Sequence, residues 1–328
     1  MGLGLTASVT VLKAIAEPTR LRILALLAYG ELTVKDLTRI LAQSQPRISR
    51  HLRLLGEARL IERAPEGSWV YFRLAHAGER GALARLVLDI VDRADPVLVR
   101  DRRRAEALRA DRESAAQAYF AAHAADWDSI RALYVAEAEV EAALIKVLGA
   151  GPFDLLLDLG TGTGRMLQLF SGRYRRGLGI DLSPAMLTYA RSKLERAGMA
   201  NVQVRQGDIY DLALPDQAAN AIVMHQVLHF LSDPQRAVRE AARVLAPAGR
   251  LLIVDFAPHD LEFLREQFAH ERLGFADAQL IQWLSEAGLM LLDRCSLTPA
   301  RFDRAAPGRR HRRRRWHGLG PYVGRATG

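Results

Sequence analysis

The residues best suited to chemistry in this sequence are three aspartates and a run of glycines. In "FDLLLDLGTGTGRMLQLF" an apolar run carries Asp158 near its end, then passes through Gly160-x-Gly162-x-Gly164 into a helical pattern. Glycines between a strand and a helix let the main chain approach a ligand closely and present N–H groups to it. The spacing decides which ligand. A dinucleotide fingerprint wants its third glycine where Arg165 stands, and counting from Gly162 puts Leu167 at that place, so a hydride-transfer dinucleotide fold is disfavoured. "GLGIDLSPAMLTYAR" ends a second apolar run at Asp181, 19 residues after Gly162. An anionic acceptor at a strand end can take both ribose hydroxyls of a nucleoside. "NVQVRQGDIYDL" ends a third run at Asp208, placed to accept from an adenine amino group.

These residues need a scaffold that brings strand ends together. "AIVMHQVLHFL" and "GRLLIVDFAP" read as a fourth and a fifth strand, each followed by helical sequence. Strands alternating with helices predict a parallel, doubly wound α/β sheet, with the ligand at the carboxyl ends of the strands. His225, His229, Asp255 and His259 fall at or just after those ends and are the candidate catalytic residues. His225 and His229 would share a face if their segment were helical, although two histidines alone usually mean packing or hydrogen bonding.

Together, Asp158, "GTGTG", Asp181, Asp208 and "LAPAGRLLIVD" resemble the class I S-adenosylmethionine-dependent methyltransferases, a Rossmann-like fold, from about residue 115 to 297. The resemblance implies S-adenosylmethionine or S-adenosylhomocysteine as the bound nucleoside. It puts the binding residues at Asp158, Gly160, Thr161, Gly162, Gly164, Asp181, Leu182, Asp208, Ile209 and His225. Asp158 and the glycine turn would face the methionine part, Asp181 the ribose and Asp208 the adenine. Methyl transfer needs mainly positioning, with a base where the nucleophile carries a proton. Cys295 is the one cysteine and lies away from these strand ends, which excludes arsenite methylation through thiolates. Nothing in the sequence names an acceptor.

The first 94 residues carry a different pattern. "EPTRLRILALLAYG" places Leu21, Leu24 and Leu27 on one helical face. "TVKDLTRILA" repeats this more briefly, with Thr33 as cap, Val34, Leu37 and Leu41 inward, and Lys35 and Asp36 solvated. In "SQPRISRHLRLLGEARLIER", Ser44 can cap a third helix, Pro46 fits its first turn, and Ile48, Leu52 and Leu55 share a face. The opposite face presents Gln45, Arg47, Ser49, Arg50 and Arg53, the residue types that reach base edges and phosphates. "LIERA-PEG-SWVYFRL" then reads as a hairpin turning at Pro-Glu-Gly, a wing from which Arg63 and Arg73 could touch flanking backbone.

This α+β winged helix-turn-helix head resembles the ArsR/SmtB family of repressors along the whole stretch from Glu17 to Leu74. The resemblance implies a homodimer, paired through helices at about 9–16 and 79–93, on a two-fold symmetric double-stranded DNA operator. The sequence departs from the family at its metal site. Thr33 and Lys35 stand where the family has thiolates, and a lysine cation is no soft-metal ligand. The family's second site needs histidine on the last dimer helix, and "ERGALARLVLDIVDRAD" has none. No metal is expected.

The chain of 328 residues carries a net charge of +9, unevenly spread. Residues 1–94 hold 14 Lys/Arg against 9 Asp/Glu, and residues 301–328 hold 9 Arg against 1 Asp. The basic tail therefore dominates the charge, and the total alone does not argue for nucleic-acid binding. No apolar run reaches the roughly 18 residues of a membrane span and no signal pattern opens the chain, so a cytoplasmic location is expected. The expected organisation is a winged head at 1–94, a helical connector at 95–150, a nucleoside-binding domain at 151–298 and a basic tail at 299–328. That tail reads as strandless, either disordered or lying beyond a change of reading frame. In the connector, "AEAEVEAAL" resembles a helix covering the cofactor end of the next domain. Tyr119, Phe120, His123, Trp127, Ile130, Leu133 and Tyr134 read as packing residues.

Overall fold

The computed structural model describes residues 4–66, 69–75, 78–127, 137–294 and 319–326. The chain forms two compact units, divided between Arg112 and Glu113.

The first unit begins with helices α1 (Leu5–Ile15) and α2 (Pro18–Leu27). The short strand β1 (Leu32–Thr33), helix α3 (Val34–Leu41) and helix α4 (Gln45–Glu57) follow. Strands β2 (Ile61–Glu66) and β3 (Trp69–Leu74) pair antiparallel, with β1 against the far edge of β3. Helices α5 (Gly78–Ile90) and α6 (Pro96–His123) complete it, α6 contributing its residues up to Arg112. The inward faces meet in one core holding Ile23, Leu24, Leu37, Ile48, Leu52 and Leu55. Each such side chain contributes about 1.5–3 kcal/mol through removal from water.

Thr33 caps α3 as expected, but Asp36 is not solvated. Asp36 completes a capping box, taking the Thr33 N–H at 3.0 Å while its own N–H donates to Thr33 Oγ1 at 3.2 Å. The side chain of Asp36 is 3% exposed and also meets Arg112 Nη2 at 2.5 Å. The ion pair lies 76 residues apart in sequence, out of reach of any local pattern. Ser44 is the N-cap of α4 but accepts no capping bond through its side chain. Two residues of the expected Pro-Glu-Gly turn are strand residues instead. Pro65 and Glu66 are paired in the ladder with Val70 and Trp69, and residues 67–68 lie outside the described ones.

The second unit begins at Glu113 with the end of α6, followed by helix α7 (Glu137–Leu148). A seven-stranded sheet follows: β4 (Phe153–Leu159), β5 (Tyr174–Asp181), β6 (Val202–Gln206), β7 (Ala219–His225), β8 (Leu245–Phe256), β9 (Leu289–Arg294) and β10 (Leu319–Ala326). Helices α8 (Arg165–Leu169), α9 (Pro184–Arg196), α10 (Pro234–Val244), α11 (Phe263–Gln267) and α12 (Asp277–Glu286) lie between the strands. The strand order is β6-β5-β4-β7-β8-β10-β9, parallel from β6 through β8. Two apolar cores form, one around Ile222, Ile253 and Trp283, the other around Leu156, Phe170 and Val254. Chain order reverses between β4 and β7, which opens a crevice at their carboxyl ends.

The stretch 95–150 is shared between the units. Asp101, Ala105 and Leu108 bury into the head, whereas Leu144 and Leu148 bury against the sheet. The tail is not strandless, because Leu319–Ala326 forms β10, antiparallel to both β8 and β9. "LGPYVGRA" has weak strand propensity, but pairing on both edges satisfies its backbone, and that pairing is invisible to local pattern. Residues 295–318, with most of the basic tail, lie outside the described ones. Among the described residues no helix is long and apolar enough to cross a membrane. Nor does any group of three or more His, Cys, Asp or Glu side chains form a metal-holding arrangement among them.

Candidate functional site

At the carboxyl ends of β4, β5 and β7 lies a pocket with about 1150 Å³ of empty space, its open mouth included. Asp158, Gly160, Thr161, Gly162, Asp181, Leu182, Asp208, Ile209 and His225 all line it. Gly164 does not. It is the N-cap of α8 with a left-handed φ of +83, and a Cβ on it would come 3.3 Å from Leu194 Cδ1.

The glycine turn is shaped by contact as well as conformation. Gly160 has φ +71, and a Cβ there would fall 2.4 Å from Val227 Cγ2. Gly162 has φ +52, and a Cβ there would stand 3.5 Å from the indole nitrogen of Trp127. Asp158 is buried and accepts from the Thr161 hydroxyl at 2.6 Å. Asp181 ties the second strand to the turn: Oδ2 accepts from the Gly162 N–H and Oδ1 from the Ser183 N–H, both at 2.8 Å. Burial pushes the Asp181 carboxyl above its ordinary range, opposed by the N–H groups of Ser183, Gly162 and Leu182. Asp208 is braced at 2.8 Å by the N–H of Tyr210.

Of the four candidate catalytic residues, only His225 lines the pocket. The expected fourth strand is β7 and ends at His225, after which a left-handed Gln226 and a 3-10 turn at Leu228–Phe230 follow, so His225 and His229 share no helical face. That path carries His229 inward, where it is 2% exposed with Nδ1 2.8 Å from Asp255 Oδ1. Asp255 also accepts from the N–H groups of Leu228 and Phe256. His259 and His270 are buried nearby, the His229 and His270 rings lying 4.2 Å apart. Burial pushes the His259 imidazole down to about 4 and that of His270 well below its ordinary value, the neighbouring His229 adding to both.

Several lining residues were not expected. Glu113, Ala116, Gln117 and Phe120 come from the last turns of α6, and Trp127 follows them. Phe120 meets Phe230 at 4.8 Å and Trp127 at 5.3 Å between ring centroids, both edge-on. Among the described residues α6 supplies this part of the lining, while Leu144 and Leu148 of α7 are buried. The available signal was the spacing of 113, 116, 117 and 120, one helical face within a charged stretch. Ile130, Leu133 and Tyr134 lie outside the described residues.

On the head, Gln45, Arg47, Ser49, Arg50 and Arg53 are exposed on α4, and Arg63 is exposed on β2. Arg73 differs. Its guanidinium pairs with Glu62 at 2.7 Å and lies 3.9 Å from Glu31, with 17% of the side chain exposed. It ties the sheet together instead of reaching outward, because its partners sit on neighbouring strands and loops.

Comparison with known proteins follows the same division. Residues 17–63 match the family described as bacterial regulatory protein, arsR family, and residues 157–253 match that described as methyltransferase domain. An uncharacterized methyltransferase of Bacillus subtilis, YcgJ, is 36% identical over 126 residues, which cover 38% of this chain and 50% of that protein. A demethylmenaquinone methyltransferase of Tropheryma whipplei is 33% identical over 136 residues, covering 42% and 56%. The chain spans about half the length of the curated relatives it matches. A solved chain from the Haloferax volcanii complex of the Trm112 methyltransferase activator with a methyltransferase shares the fold. It superimposes with TM-score 0.52 at 22% identity, over 64% of this chain and 98% of that one. The chain thus joins a helix-turn-helix domain of the arsR regulatory family to a class I methyltransferase domain.

Proposed function

We propose that this protein is a DNA-binding transcriptional repressor whose methyltransferase domain binds S-adenosylmethionine or S-adenosylhomocysteine as an effector. The genes it controls would be those of methionine and one-carbon metabolism. The observation that carries the effector reading is the separation of two kinds of side chain. The carboxylates suited to a nucleoside open into the pocket, whereas His229, Asp255 and His259 are withdrawn from its lining, which leaves His225 as the candidate base. On the head, exposed Leu5, Val9 and Leu12 form a stripe on α1, and exposed Leu86 and Ile90 another on α5. These apolar faces support a homodimer and two symmetric reading heads.

An effector acts only through different affinities for the DNA-competent and incompetent forms, and coupling typically amounts to 5- to 150-fold. Titrating operator DNA against the purified protein at saturating levels of each nucleoside tests this. A shift in operator affinity of at least about fivefold is expected with one of them. Unchanged affinity with both overturns the reading.

A second reading is favoured by the relatives, which are named as methyltransferases: an active enzyme on a small molecule, with the head controlling its own operon. Release of S-adenosylhomocysteine from S-adenosylmethionine by the purified protein with candidate acceptors would favour it.

A further inference from the structure

The first unit holds a cavity of its own, formed wholly by residues between Arg22 and Arg102. It has about 680 Å³ of empty space, its open mouth included. Ala25 and Leu26 of α2, Leu88 of α5, Val91 just beyond it and Leu98 of α6 make an apolar wall. The charged part of the lining is Arg22, Arg93 and Arg102 against Asp101 alone. Asp101 is 1% exposed, and Arg22 takes both its oxygens, Nε to Oδ2 at 2.5 Å and Nη2 to Oδ1 at 2.8 Å. That pair is neutral as a unit, which leaves Arg93 and Arg102 as an excess of positive charge in the lining.

These two guanidiniums are loosely held. Arg93 Nη2 meets Asp89 at 3.3 Å with both side chains well exposed, and Arg102 Nε stands 3.8 Å from Glu106, beyond hydrogen-bond range. Exposed pairs of this kind contribute little, so another anion can take their place. A guanidinium also offers a carboxylate two parallel N–H groups. Apolar walls with a few charged groups suit a small ligand that has an apolar body and one anionic end. The cavity is also clear of the apolar stripe on α5. Successive helical residues turn by about 100°, so Leu86 and Ile90 each lie about 160° around the axis from Leu88.

We propose that this cavity is a second ligand site, distinct from the nucleoside pocket, and that it takes a small amphipathic monocarboxylate. The apolar body lies against the wall of Ala25, Leu26, Leu88, Val91 and Leu98, and the carboxylate meets Arg93 and Arg102.

Calorimetry on the whole chain tests the assignment, with sodium octanoate and its uncharged counterpart 1-octanol as probes. The unaltered protein is expected to bind octanoate at least about tenfold more tightly than 1-octanol. Arg93→Gln and Arg102→Gln together should cut that preference to less than about threefold and change 1-octanol by less than about twofold. Leu88→Phe narrows the cavity and should weaken both probes alike, which provides the reading if the double variant does not fold. Equal affinity for the two probes, or an unchanged ratio in the double variant, overturns the assignment. Displacement of octanoate by saturating S-adenosylhomocysteine would put it in the other pocket and overturn it as well. Failure of octanoate to bind also overturns it, and a dimer weakened by the double variant in sedimentation would then give this face to a second copy of the chain.

Discussion

The head and the methyltransferase domain both gather charge on one face, but they hold it differently. On α4 the arginines stand in water, and the paired charges lie behind them, as in Asp36 with Arg112 and Arg22 with Asp101. In the pocket Asp158 is buried, Asp181 half-buried and Asp208 exposed, and all three are already bound by main-chain N–H groups or a hydroxyl. A polyanion such as DNA can be met by hydrated, mobile arginines, because its charge is dense and its counterions are released on contact. A small nucleoside offers two hydroxyls and an amine, so the groups that read it must be held in place beforehand.

The sharpest break of this comparison comes from acid. His259 and His270 are buried in the second unit with depressed pKa values, so the unfolded chain takes up protons that the folded one refuses. Stability conferred by these neutral imidazoles is complete above about pH 6.5 and is lost as the pH falls toward about 4. The melting transition of this unit should hold level above about pH 6.5 and fall as the pH is lowered toward about 4, as scanning calorimetry would show; a flat profile across that range would contradict the buried cluster.

Next in size is Asp36→Ala, which removes the Asp36 half of the α3 capping box and the partner of Arg112. A loss of about 3 kcal/mol, or roughly 10 °C in the head's thermal midpoint, is expected with nucleoside binding unchanged. Asp181→Ala should do the reverse. Nucleoside affinity falls about 100-fold as two charge-assisted bonds are lost, while the head melts as before. Protonation should mimic this, since the raised pKa of Asp181 makes binding weaken at a higher pH than an ordinary aspartate would allow. The smallest effect belongs to Arg50→Ala. Operator affinity should drop roughly tenfold, and the slope of log affinity against log salt should shrink by about 1. Salt-independent operator binding would mean that α4 is not the reading surface.

Much of both units was legible from local pattern. Thr33, the apolar faces of α2 to α4, the glycine turn and the strand-end positions of Asp181 and Asp208 follow from periodicities of 3.6 and 2 and from turn chemistry. These features depend on neighbours a few residues away, which is why they could be read in order along the chain.

The rest needed partners brought from far off. Buried Asp36 is paired with Arg112, Arg73 is held by Glu62, and His229 lies against Asp255 instead of lining the pocket. The final strand exists because β8 and β9 leave a gap with open hydrogen-bonding edges. Whether a charged side chain becomes a reading group or a structural one depends on burial and on the nearest opposite charge. Local sequence settled which residues could do chemistry, and only the folded chain decided which of them line the pocket, because burial and charge pairing are set by contacts across the whole fold.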